Sequence, residues 1–157
     1  MMQINFMEKL IPFTVHDLAK VTNFRSGEVK FGEKMQTIPK EADVATFLKE
    51  SDAKFVIFGV PEDIGVRANH GRPGAASAWE SAIKSIANIQ HNRFNKGSQI
   101  LILGHLDVSE EMKAVEHLDF NQIEERKELS KWVEKVDKEV SHIIFTIVKS
   151  GKIPIII

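Results

Sequence analysis

Two short segments hold most of the side chains in this chain that could do chemistry. The first, Pro61-Glu62-Asp63-Ile64-Gly65-Val66-Arg67-Ala68-Asn69-His70-Gly71-Arg72-Pro73-Gly74, gathers carboxylates, two arginines, an asparagine and a histidine. Asp63, Asn69 and Arg72 are its candidate substrate-binding residues. A guanidinium such as Arg72 can clamp a carboxylate through two parallel hydrogen bonds. The simpler readings are a salt bridge from Arg72 to Asp63 or Glu62 and a turn-forming role for Asn69, with His70 a solvated loop residue. The segment lacks both the Gly-x-Gly-x-x-Gly spacing of a dinucleotide turn and the Gly-Lys-Ser/Thr of a phosphate loop. The second segment, Gly104-His105-Leu106-Asp107-Val108, sets a histidine and an aspartate two residues apart. Such a pair can share a metal, but a metal site needs three or four protein ligands, and no third has matching spacing. The simpler reading lets Asp107 help cap the next helix while His105 fills polar space.

The other candidates are weaker. No serine sits in a Gly-x-Ser-x-Gly elbow. His142 lies beside the apolar stripe of a long predicted helix, His91 and His117 fall near predicted helix ends, and His16 lies in an irregular stretch. Residues alone assign no catalytic group and no metal ligand.

The elements that must position these segments follow from apolar periodicity. Residues 1–38 read as an irregular lead-in with one short helix at 16–22. Pro39 opens an amphipathic stretch with Val44, Phe47 and Leu48 at helical spacing. Lys54–Val60 is a short apolar run suited to a strand buried on both faces, and Pro61–Gly74 follows as a polar, glycine-rich loop. Residues 75–90 are alanine-rich, with Trp79, Ile83, Ile86 and Ala87 on one helical face. Ile100–Leu103 reads as a second buried strand. Ser109 is placed to N-cap a short helix, and Asn121 with Glu124 has the form of a capping box for a long one. Gly151 stands where a glycine ends that helix. Ile153–Ile157 reads as a third strand, and the apolar run ending there suggests the front part of a longer sheet. Strands alternating with helices predict an α/β fold with a parallel sheet covered by helices on both sides. The expected division is a lead-in over 1–38 and an α/β unit over 39–157.

Composition narrows the function. The 157 residues carry 21 Lys+Arg against 22 Asp+Glu, a net charge of −1, without the basic excess that phosphate neutralisation requires. This points away from nucleic acid. No segment approaches the ~20 apolar residues of a membrane span, and the opening residues 1–8 lack the basic and apolar regions of a secretory leader. The expectation is a cytoplasmic protein. There are no cysteines, which excludes disulfides, thiolate metal sites and cysteine nucleophiles.

The run Phe58-Gly59-Val60-Pro61-Glu62-Asp63-Ile64-Gly65-Val66, followed by Asn69-His70-Gly71-Arg72-Pro73-Gly74-Ala75, resembles the first strand and loop of the arginase/agmatinase/formimidoylglutamase family, the ureohydrolases. Arg25-Ser26-Gly27-Glu28-Val29-Lys30-Phe31-Gly32 is similar to the lead-in of formimidoylglutamase-like members. Gly151-Lys152-Ile153-Pro154-Ile155-Ile156-Ile157 is similar to the strand that in the family runs into a glycine-rich turn with a metal-binding histidine. The likeness extends over residues 12–157. It implies a three-layer α/β/α fold around an eight-stranded parallel sheet, of which this chain holds the first three strands. It also implies two manganese ions on His and Asp ligands, which activate water to attack a guanidino or formimidoyl carbon and release urea or formamide. The family's ligand motifs fall beyond position 157, so none is carried onto this chain. Where the family has an acidic residue before a glycine after the second strand, this chain has Gly104-His105-Leu106-Asp107.

Three readings of function result. The first is the N-terminal portion of a manganese-dependent hydrolase of amidines, inactive as an isolated chain, with loop 61–74 as one wall of the pocket and self-association left open. The second is a non-catalytic binding or assembly module acting through an exposed sheet edge. The third, a nucleotide-binding domain, lacks the phosphate-binding glycines.

Overall fold

A computed structural model of the chain describes residues 7–119 and 121–157. The first six positions, read above for a leader, lie outside the described residues. In chain order the elements are β1 (Leu10–Pro12), α1 (Val15–Val21), β2 (Gln36–Thr37), α2 (Val44–Glu50), β3 (Phe55–Gly59) and α3 (Ile64–Ala68). Then come α4 (Ala78–Ala87), β4 (Ile100–Leu106), α5 (Ser109–Val115), α6 (Ile123–Lys149) and β5 (Ile153–Ile156). The five strands form one open sheet in the order β1-β4-β3-β5, with β2 also paired to β4. β2, β3 and β5 run parallel within it, whereas β1 is antiparallel to β4. The sheet is therefore mixed.

Alternation along the two central strands builds two cores. Val56 and Phe58 of β3, with Leu101 and Leu103 of β4, pack on one face against Leu48, Ile64, Val115, Leu129, Val136 and Ile143 from α2, α3, α5 and α6. Ile57 and Ile102 point to the opposite face, against Leu18 of α1 and Trp79, Ile83 and Ala87 of α4. Helices thus cover both faces, as expected of strands with continuous apolar runs such as Phe55–Phe58 and Ile100–Leu103. On the first face, buried Glu111 of α5 accepts from Lys135 of α6 at 2.8 Å and also pairs with Lys9, tying the two helices to the start of β1.

A bulge in β4 changes which face its last residues meet. Ile57 pairs with Ile102 but Phe58 pairs with Gly104, so Leu103 is the extra residue. Beyond it Leu106 rejoins the first core, and His105 turns to the α1–α4 side, beside Trp79. Gly104 sits at φ +138°, and a Cβ there would lie 2.0 Å from the Ile11 carbonyl oxygen. Only glycine allows β1 to pair so closely at this point.

Several expectations need correction. The parallel sheet of three strands is a mixed sheet of five, because the lead-in contributes β1 and β2 to the free edge of β4. Its helix lies close to the reading, with Thr14 and Asp17 closing a capping box. The second buried strand extends to Leu106, so His105 lies inside it and not beyond its end. Ser109 is the first helical residue and Val108 the cap; it is Asp107 that accepts from the Ser109 N–H at 3.0 Å and the Ser109 hydroxyl at 2.6 Å. Asn121 does not cap α6. Gln122 holds that position without a side-chain bond, and Asn121 instead donates to Asp119 through its backbone and its amide, both at 2.9 Å. The other end of α6 matches the reading. Gly151, at φ +75°, donates to Val148, and Lys152 donates to Ile147, the paired closure of a glycine-ended helix.

Candidate functional site

In an open α/β sheet, ligands bind past the carboxyl ends of the strands. Here that end carries the connection from β3 to α4 and the last turn of β4. The connection is more ordered than a plain loop, because Ile64–Ala68 forms the short helix α3 within it. Asp63 holds it in place. The Asp63 side chain is buried, and its Oδ1 accepts from the backbone N–H of Gly74 at 3.0 Å and of Ala76 at 3.1 Å. One carboxylate oxygen thus closes the two ends of the segment on each other. Glu62 accepts from Gly65 N–H at 2.8 Å at the start of α3. Asn69, the C-cap of α3, donates its side-chain amide to Gly65. Arg72 is exposed, and among the described residues it forms no ion pair with Asp63 or Glu62. The three sequence candidates therefore share a segment but divide in role. Asp63 and Asn69 shape the backbone, and Arg72 faces solvent.

The groove next to this segment drew no notice as a site from the sequence. It has a volume of about 470 Å³ and lies between α1 and α4. Phe13, Trp79, Ile83 and His105 form its floor, Asp17 and Lys20 one rim, Glu80 and Lys84 the other. Phe13 meets Trp79 edge to face at 6.1 Å between ring centres, and the His105 ring lies 5.8 Å from Trp79. Trp79 reaches the sheet because Gly59 has no side chain, since a Cβ there would come within 2.4 Å of the indole. An apolar floor with a few convergent polar groups suits a small molecule that has an apolar body and a polar end.

His105 is the chemically distinctive member. Burial holds its imidazole below the usual range, outweighing the Asp107 and Glu80 carboxylates, which act the other way. The ring is thus poised in its neutral form. Its Nδ1 is buried and has no hydrogen-bond partner among the described residues. Asp107 is held low by the two bonds from Ser109, with Lys9 and His105 adding to the effect. Asp17 is held low first by Thr14 and then by Lys20, 3.5 Å away. The signal that could have exposed this groove was the glycine of Gly59-Val60-Pro61, which marks a close approach by a large ring.

Among the described residues no three His, Asp or Glu side chains gather as metal ligands do. His105 and Asp107 do not form part of such a set. No described helix is long and apolar enough to cross a membrane. The fold and groove define an α/β protein with helices on both sides of a mixed sheet. No protein-family model, curated protein or solved structure matches this chain.

Proposed function

We propose that this chain is the N-terminal portion of a hydrolase of the ureohydrolase type, cleaving a C–N bond in a formimidoyl or guanidino substrate. The observation that carries the reading is the segment Pro61–Ala75. It bears the family-like motif in sequence, and it stands past the end of β3, clamped by Asp63. The two-sided helical cover of the sheet is compatible with it. The ions such enzymes use would be held by residues outside those described, so this chain's part is substrate recognition and shaping of the pocket wall. The test is the natural polypeptide isolated from its source, with its intact mass measured. It is then assayed in Mn²⁺ for formamide from formimidoylglutamate and for urea from arginine or agmatine. A mass well above 17.7 kDa with release from one of these substrates is the expected result. A mass of 17.7 kDa and no release from any of them would overturn it.

A second reading, a binding or assembly module, has its own observation. The outer edge of β5 exposes Ile153, Ile155 and Ile156, and Phe145 and Val148 of the adjoining α6 are exposed as well. Apolar edge strands are pairing surfaces.

A further inference from the structure

We infer that the groove between α1 and α4 binds a neutral, planar aromatic compound and holds its carbonyl oxygen through the Nε2–H of His105. The inference goes beyond the hydrolase reading, which makes no demand on this groove. Three rings make the site. Trp79 is buried, and the half-buried rings of Phe13 and His105 flank it. Phe13 meets it edge to face at 6.1 Å, and His105 lies tilted by 42° at 5.8 Å. Ile83 completes the floor. The volume of about 470 Å³ falls within the range of small-molecule sites. A planar ring laid here buries apolar area and meets the other rings in offset or edge-to-face geometry. A flexible chain would give up more rotamer freedom to do the same.

His105 sets the polar end of the ligand. Its Nδ1 is buried without a partner among the described residues, whereas its Nε2 is neither buried nor bonded among them. Nε2 is therefore the atom that opens onto the groove. A proton on Nδ1 would be a buried N–H with no acceptor, so the neutral ring carries its proton on Nε2 and donates from there. The ligand must supply an acceptor, and charge decides which kind. Each rim carries one acid and one base, Asp17 with Lys20 and Glu80 with Lys84, so the rims impose no net charge. The Glu80 and Asp107 carboxylates both act on the His105 ring, and an anion bonded to Nε2 would meet their repulsion. A cation brings no acceptor to Nε2–H. A neutral carbonyl satisfies both conditions. Pro61 and Ala76 border the groove, and Ala76 N–H is one of the two donors to Asp63, so the ligand touches both ends of the clamped segment.

The experiment is a titration of the full 157-residue chain, labelled with ¹⁵N, against three molecules of one shape. Benzamide is neutral with a carbonyl, benzoate is an anion, and benzamidine is a cation that only donates. Imidazole, indole and backbone shifts are followed at about pH 7.5, above the ordinary imidazole value. Before ligand is added, His105 is expected to carry its proton on Nε2. Benzamide should then move the His105 Nε2, the Trp79 indole N–H and the amides of Phe13, Glu62 and Ala76. Benzoate and benzamidine should bind at least about tenfold more weakly. His105→Phe keeps a ring and loses the donor, and it should weaken benzamide by about fivefold, the worth of one neutral hydrogen bond. A proton on Nδ1, no benzamide shift at His105, or an unchanged affinity in His105→Phe would overturn the assignment. So would benzoate or benzamidine binding as tightly as benzamide, which would mark a charged site. Should His105→Phe not fold, the Nε2 shift of the parent chain decides by itself. None of these results moves the hydrolase reading, which stands or falls on the release of formamide or urea.

Discussion

His105 shows how burial changes what a residue can do. A histidine held below its usual range is neutral when folded, while the unfolded chain takes up the proton at an ordinary imidazole value. The folded state must then lose stability as pH falls below about 6.5, the loss being complete once the folded ring has titrated as well. Urea midpoints measured from about pH 7.5 down to about pH 5 should fall for the parent and flatten in His105→Gln. Equal slopes in the two proteins would show that His105 is not the group responsible. Asp17 and Asp107 act in a lower window, since their depressed values give stability that is lost only as pH falls through the carboxylate range. At this scale the sequence was informative about residue type and poor about role. Asp63 was legible as a polar loop residue, but its bonds to Gly74 and Ala76 lie 11 and 13 positions away, beyond any local pattern.

Elements with strong apolar runs were legible. β3, α4 and α6 lie where periodicity placed them, and the glycine closure of α6 at Gly151 follows from a local rule. The short strands β1 and β2 were not legible, because two or three residues carry no period. They are strands only because the edge of β4 accepts them. The bulge at Gly104 likewise depends on its neighbour, and it decides which face His105 meets. Gly104→Ala places a methyl against the Ile11 carbonyl and strains a positive φ. It should cost at least about 2 kcal/mol, read from chemical denaturation, and should separate β1 from β4 before the rest of the sheet unfolds. Loss of amide protection at Asp107, whose N–H bonds Lys9, is the local sign to look for. A change within about 0.5 kcal/mol would show that the bulge is not needed.

The whole molecule is built on two cores of unequal extent. The larger lies under α2, α3, α5 and α6, and the smaller lies under α1 and α4 and contains the groove. The sheet is closed on neither side, and its β5 edge is the more apolar one. The free chain is therefore expected to self-associate through that edge, and Ile155→Lys should make it monomeric, with sedimentation velocity as the measurement. An edge lysine opposes strand pairing without disturbing a core, because Ile155 is exposed. A parent chain that stays monomeric at high concentration would remove the assembly reading and leave the hydrolase reading in place.

By itself the sequence determined the α/β class, the two central strands, the long helix with its glycine end, and the exclusion of cysteine chemistry. These depend on residue type and on spacing of a few positions, where propensity and burial act locally. Only the tertiary structure decided that the sheet is mixed, that His105 lies inside a strand beside Trp79, and that Arg126 meets His70. Each of those depends on groups brought together across dozens of residues, where packing and strand pairing act and local pattern is silent.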